Sequence, residues 1–160
     1  MVVGKLKAEV CPLYLSDIPL GFVSEYKYLG VVLTSGTTLS FSAITVIRSF
    51  HRAVNSILYS RVKLEKAILM KLLYTNCVPI LTYACAVREF NAADMRKVHV
   101  ALNNAIRRIF SFAVWQSIRH LRIEYGYKSV YEIFAEAKSK FLVSAPASRN
   151  PIVYHLALLL

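Results

Sequence analysis

The side chains that could do chemistry in this 160-residue sequence are few and scattered. A two-metal polymerase or nuclease needs closely grouped carboxylates to hold its cations. The sequence has only two aspartates, Asp17 and Asp94, and neither has a carboxylate neighbour. Glu132 and Glu136 share a helix face, but Glu136 also precedes Lys140 by four residues, a spacing typical of solvated ion pairs. We therefore predict no catalytic residue in this chain.

Histidines and cysteines give no metal-binding pattern. The four histidines, which show no ligand spacing, are His51, His99, His120 and His155. The cysteines Cys11, Cys77 and Cys85 form no Cys-x-x-Cys pair, so neither a zinc site nor a disulfide framework is indicated. Phosphate-loop and nucleophile-elbow motifs are also absent. The sequence predicts no metal and no cofactor, and its cysteine usage favours a reducing, intracellular location in cytoplasm or nucleus.

Basic residues are the strongest functional signal. Lysine and arginine total 20 against nine acids, which gives a net charge of +11 and a pI near 9.8. Such an excess favours an acidic partner, with nucleic acid first and an anionic membrane second. The candidate phosphate-binding residues lie on two predicted helices and are Arg48, Arg52, Arg96, Lys97, Arg107 and Arg108. Charge runs often only solvate a helix, so a basic module that binds an acidic protein or a membrane surface remains the alternative.

Two segments of different periodicity must position these residues. Up to Leu33 the chain is rich in β-branched and aromatic residues with turns between them, which predicts two or three short antiparallel strands, the last over Tyr26–Leu33. Ser40 is the expected N-cap of a helix over Ala43–Leu58. The content of 56% apolar and 18% charged residues indicates a chain that folds.

Helical spacing continues through the remainder. We expect a helix over Leu64–Asn76 that stops near Pro79, and a helix capped by Asn91 whose inner face carries residues such as Val98 and Leu102. A short helix is expected over 116–123. A last helix, opened by a Ser129–Glu132 capping box, should run to about 141.

A membrane-spanning helix is not expected. The most apolar window, residues 67–87, is interrupted by Lys71, Asn76 and Pro79, whereas a spanning helix needs about 20 mostly apolar residues. The first residues do not form a secretory signal. The chain is predicted to be mainly α, with a short N-terminal antiparallel β hairpin followed by a helical, thumb-like bundle.

Several runs resemble the reverse transcriptases of non-LTR (LINE-like) retrotransposons, in the thumb and post-thumb region. In chain order they are Tyr26–Leu33 with its Lys-Tyr-Leu-Gly-Val core, Leu72-Leu73-Tyr74, Pro79–Ala84, Ala105–Phe110, and Trp115 followed by Gly126–Glu132. The resemblance spans roughly residues 2–155. It implies a palm-edge hairpin with a primer-grip-like strand over 1–34, a thumb and post-thumb region over 35–143, and a linker with a truncated C-terminal helix over 144–160.

The resemblance also implies a function. The parent enzyme would copy RNA into DNA with Mg²⁺ in its palm, and this chain would hold the RNA–DNA primer–template duplex beside the missing palm and fingers. Tyr28, Leu29 and Gly30 would occupy the primer-grip position. The family's Ala-Asp-Asp turn and its downstream Cys/His zinc ligands are absent, so the chain is predicted to be inactive alone. The alternative to this function is a basic helical interaction module or a degenerate transposon remnant with no polymerase role.

Overall fold

The computed structural model describes residues 13–36, 40–59, 64–86 and 90–148 and confirms a mainly α fold with antiparallel strands at its N-terminal end. The strands are β1 Leu13–Leu15, β2 Ile18–Leu20, β3 Glu25–Tyr28, β4 Val31–Thr34 and β5 Ser40–Phe41. The helices are α1 Ala43–Leu58, α2 Lys66–Leu72, α3 Val78–Thr82, α4 Ala92–Phe110, α5 Arg119–Glu124 and α6 Val130–Ser144. Residues 1–12 and 149–160, with most of the predicted C-terminal segment, lie outside the described residues.

The strands form two small antiparallel sheets, β1–β2 and β3–β4–β5. The single strand expected over Tyr26–Leu33 is wrong, because Leu29 and Gly30 form a two-residue turn between β3 and β4. Their φ angles are +45° and +82°, the positive pair that a type I′ hairpin turn requires. Glycine adopts such an angle freely, but leucine rarely does. Because leucine is not a typical turn residue, the residue types alone do not indicate a turn here.

Helix α1 has its predicted bounds but a different N-cap. Ser42 occupies the N-cap position, and the expected cap Ser40 lies in β5. The amide of Ser42 donates to the carbonyl of Val32 at 3.2 Å. This bond fixes the start of α1 against the second sheet.

The second predicted helix does not stop at Pro79. One π-helical turn, Leu73–Cys77, joins α2 to α3, and the helical path continues to Thr82. Proline in a regular helix clashes with the preceding turn and removes a hydrogen bond. The wider turn directly before it places Pro79 in the first turn of α3, where a missing N–H is tolerated.

The ends of the later helices are set by side-chain caps. Asn91 accepts from the amide of Asp94 at 2.7 Å, and Ser129 forms the predicted capping box with Glu132. Helix α5 begins at Arg119, three residues later than predicted. The chain before it is held in a turn by the Gln116 side chain, which accepts from the amide of Ala113. Helix α6 runs to Ser144 and a 3₁₀ turn follows over Ala145–Ala147, where a loop was expected.

Helix α4 lies at the centre of the bundle and packs against α1, α2 and α6. Its inward face includes Val98, Leu102 and Ile106, all of which are fully buried, as are Phe50 and Val54 of α1. The outward side of α4 faces two directions, toward a groove shared with α1 and toward a pocket bordered by α5 and α6. No helix in the described ranges is long and apolar enough to cross a bilayer.

Candidate nucleic-acid interface

A groove of about 660 Å³ runs between α1 and α4. Its lining combines basic and amide side chains with an apolar floor: Ile44, Ile47, Arg48 and His51 from α1, and Ala93, Arg96, Lys97, Val100, Ala101 and Asn104 from α4. Residues three and four apart share a helix face, so each of the two helices contributes several side chains to the groove. The groove is therefore the place where the two predicted basic faces meet.

Three of the predicted phosphate-binding residues line this groove together. Arg48 and Arg96 are exposed and form no hydrogen bond or ion pair with any residue that the structure describes. Lys97 reaches the carboxylate of Asp94 at 2.7 Å, but its side chain stays 58% exposed. The Asp94 side chain is 18% exposed and also accepts from Asn91, so it keeps a hydrogen bond if the solvent-facing Lys97 turns to a phosphate.

Arg52 and Arg108 extend the basic surface beyond the groove. Arg52 lies one turn after Arg48 on α1, and Arg108 lies one turn after Asn104 on α4. Both are exposed and have no ion-pair partner among the described residues. Each helix therefore offers more than one guanidinium along the direction of the groove.

Arg107 differs from Arg108 because its guanidinium forms hydrogen bonds within the fold. Its Nε donates to the carbonyl of Gln116 at 3.0 Å, and its guanidinium also donates to Oδ1 of Asn104 at 2.9 Å. Its side chain is half-buried. The sequence placed Arg107 among the phosphate contacts, whereas in the structure it ties the end of α4 to the segment before α5.

The floor of the groove supplies what the sequence analysis missed. Ile44 and Val100 are 53% and 44% exposed, and both line the groove. They precede Arg48 and follow Arg96 by four residues, so helical spacing alone could have identified them. The groove can thus contact the apolar parts of a ligand while its rim binds anionic groups.

The hairpin residues lie apart from the basic surface. Tyr28 is 59% exposed, and the backbone carbonyl of Leu29 accepts a 2.9 Å hydrogen bond from the hydroxyl of Tyr83. A Cβ on Gly30 would lie 3.5 Å from the Tyr83 ring, an ordinary contact, so the positive φ rather than close approach calls for glycine. The pocket below the hairpin uses a different face of α1, at Thr45 and its neighbours. The structure therefore does not bring the predicted primer-grip residues, Tyr28–Gly30, together with the basic residues of the groove.

The carboxylates that the structure describes do not assemble into a cation site. Asp17 lies in the exposed turn between β1 and β2, and Asp94 accepts from both Lys97 and Asn91. Within the described ranges, no three histidine, cysteine or acidic side chains are grouped as metal ligands. The described carboxylates therefore do not form the closely grouped site that a two-metal polymerase or nuclease needs.

Comparison with known proteins adds no assignment. The chain matches no model of a protein family, no curated protein and no solved structure. Its function has to be inferred from its own residues and their geometry.

Proposed function

We propose that this chain holds an RNA–DNA primer–template duplex by its phosphate backbone, as the thumb region of a non-LTR type reverse transcriptase. The contacts are assigned to Arg48, Arg52, Arg96, Lys97 and Arg108. DNA synthesis and the Mg²⁺ that it needs would belong to the palm of the full-length parent, which acts inside the cell. The observation that carries the proposal is that Arg48 and Arg96, from helices far apart in sequence, line one groove and have no hydrogen-bond or ion-pair partner among the described residues.

The chemistry of the groove favours contacts to the backbone over contacts to bases. Guanidinium groups donate to phosphate oxygens in a planar, often bidentate arrangement. Such contacts position a duplex without reading its sequence. A thumb must hold every primer–template alike while the strands advance, and a groove with arginines on both sides meets that requirement. The exposed side chains of Ile44 and Val100 would then face sugar carbons.

One observation favours a second candidate. Basic rims around an apolar floor also suit an acidic amphipathic helix, which would place leucine-like anchors on Ile44 and Val100 and carboxylates on Arg48 and Arg96. In that case the chain would be an interaction module without a polymerase role. The two candidates differ in the ligand that the groove binds, in whether binding depends on the sequence of that ligand, and in how steeply affinity falls as salt rises.

The test is a triple variant, Arg48, Arg52 and Arg96 each replaced by alanine, measured against RNA–DNA duplexes of unrelated sequence. We expect affinity to fall similarly for all duplexes. The slope of log affinity against log salt should lose about 0.9 per contact on B-form DNA, and a comparable amount on a hybrid duplex.

The matched control removes three exposed charges elsewhere, with alanine at Lys71, Lys138 and Lys140. It should keep the parent's slope, apart from a weak long-range effect of net charge. A triple arginine variant that stays folded by circular dichroism, yet binds with the parent's affinity and slope, contradicts the proposal. Selective binding of acidic helical peptides with no duplex binding would favour the second candidate.

A further inference from the structure

An exposed tryptophan stands in the segment between α4 and α5. Trp115 is 87% exposed, and its neighbour Val114 is 74% exposed. The indole of Trp115 forms no hydrogen bond or ring contact with any residue that the structure describes. Tryptophan is on average highly buried in folded proteins, because its large rings gain much from leaving water. A ring left this open in the fold is a candidate contact for a partner.

The turn that carries Trp115 is fixed by hydrogen bonds. The amide of Gln116 donates to the carbonyl of Ala113 at 3.1 Å, which closes a four-residue turn with Val114 and Trp115 at its centre. The side-chain oxygen of Gln116 accepts from the amide of Ala113 at 2.6 Å. The carbonyl of Gln116 also accepts from Nε of Arg107 at 3.0 Å. The tip of the turn is therefore ordered before any partner binds.

Both sides of the turn are anchored in the core. Before it, Phe112 packs against the buried cluster, and its ring lies 5.9 Å from that of Phe110, centroid to centroid. After it, Ile118 is fully buried. A ring held outward on such a scaffold loses little conformational freedom on binding, which favours affinity.

The surroundings of the turn in the sequence are basic. No acidic residue occurs between Asp94 and Glu124. Arg108, in the last turn of α4, and Arg119, the first residue of α5, are both exposed and have no ion-pair partner among the described residues. Arg119 follows Trp115 by four residues, so their Cα atoms are at most about 14 Å apart. These cations favour an anionic partner.

The size of the apolar tip distinguishes among anionic partners. A tryptophan that anchors a protein interface lies at the centre of a well-packed patch, and stable membrane binding needs a broad apolar face or a second anchor. The described turn exposes only Val114 beside Trp115. A single flat ring next to cations instead suits nucleic acid, because any base can stack on the ring while the cations hold the phosphates.

We propose that Trp115 stacks on an unpaired base of a single-stranded nucleic acid, with Arg119 in contact with a nearby phosphate. Bases within a duplex already stack on their neighbours, so the ring requires an unpaired base. Neither Trp115 nor Arg119 lines the groove between α1 and α4. The inference therefore goes beyond the proposed duplex grip and does not rest on it.

The test uses the intrinsic fluorescence of the full chain. Trp115 is the only tryptophan in the sequence, so the emission reports on this position alone. The chain is titrated with a single-stranded oligothymidylate of about 12 nucleotides, within the range that single-strand sites cover. An abasic oligomer of the same length keeps the phosphates and sugars but has no base to stack. We expect saturable quenching by the oligothymidylate, and about tenfold weaker binding of the abasic oligomer without quenching.

Variants separate stacking from charge. W115A should bind a labelled oligothymidylate about tenfold more weakly and bind the abasic oligomer like the parent. W115F, which keeps an aromatic ring, should recover part of the loss. R119A should weaken binding of both oligomers and reduce the salt slope by about 0.7, the value for one contact on a single strand. Y14A removes an exposed aromatic ring of β1 and should bind like the parent.

Two results would overturn the proposal in variants that stay folded by circular dichroism. The first is saturable binding of the oligothymidylate that leaves the emission of Trp115 unchanged. The second is a W115A variant that keeps the parent's affinity for this oligomer. A change in the emission with vesicles of phosphatidylserine and phosphatidylcholine, and none with the oligothymidylate, would also overturn it in favour of a membrane contact.

Discussion

Two adjacent arginines, Arg107 and Arg108, should respond to replacement in opposite ways. Arg107 is half-buried and donates to Gln116 and Asn104, whereas Arg108 is exposed and has no partner among the described residues. Alanine at 107 should therefore destabilise the fold and leave the salt dependence of duplex binding unchanged. Alanine at 108 should leave the stability of the fold nearly unchanged and reduce the salt dependence of duplex binding.

The magnitudes follow from the hydrogen bonds of each side chain. A hydrogen bond to a charged group contributes about 1.5–3 kcal/mol when it is well shielded. The two bonds of Arg107 are partly open to water, so we expect R107A to lower the free energy of unfolding by about 1–3 kcal/mol in total. For a chain of this size each kcal/mol lowers the melting temperature by about 2–4 °C. R108A should cost less than about 1 kcal/mol, through the helix dipole alone.

Urea unfolding followed by circular dichroism measures the first effect, and fluorescence anisotropy of a labelled RNA–DNA duplex over a range of salt measures the second. R108A should reduce the salt slope by about 0.9, the value for one phosphate contact on B-form DNA. The reasoning is refuted if R107A is as stable as the parent and lowers the slope. It is equally refuted if R108A unfolds the chain and R107A does not.

Three further predictions concern the scaffold. Burial raises the pKa of Tyr74 to about 12, so the folded state holds the phenol proton more tightly than the unfolded state does. The free energy of unfolding should therefore fall as pH rises from about 10 to 12, and alkaline unfolding curves of Y74F should lack this contribution. Replacing Leu29, whose φ is +45°, with asparagine should raise the free energy of unfolding in urea by about 1 kcal/mol, because asparagine tolerates this conformation better, and an unchanged or lower value would count against the type I′ turn. The exposed apolar residues of segment 13–28, which include Leu15 at 66% and Ile18 at 67% exposure, should make the chain self-associate at moderate salt; a monomer throughout a sedimentation series would contradict this.

Periodicity and caps predicted the helices where local signals and packing agree. Helix α4 follows its Asn91 cap and its apolar positions, and α6 begins at its capping box. The helical path through Pro79 was not predicted, because the π turn Leu73–Cys77 that precedes the proline has no signature in the residue types. A proline alone predicts the end of a helix.

The basic residues of the groove were predictable, but their grouping was not. Residue types identified Arg48 and Arg96, yet only the packing of α1 on α4 shows that they line one cavity. The same packing separates Arg107 from this set, through bonds to residues of the following turn. His99, one of the four histidines without ligand spacing, lines a pocket built by three helices. Such sites arise from contacts that no local pattern encodes.

Equilibrium binding of the unmodified chain to RNA–DNA duplexes, measured as a function of salt, tests the central claim most directly. Two duplexes of the same length and unrelated sequence would be compared, with anionic lipid vesicles as the competing acidic surface. A grip on the phosphate backbone predicts equal affinity for both duplexes and a salt slope that corresponds to about four or five contacts at about 0.9 each. Binding to vesicles without binding to either duplex, or duplex binding that is insensitive to salt, would contradict it.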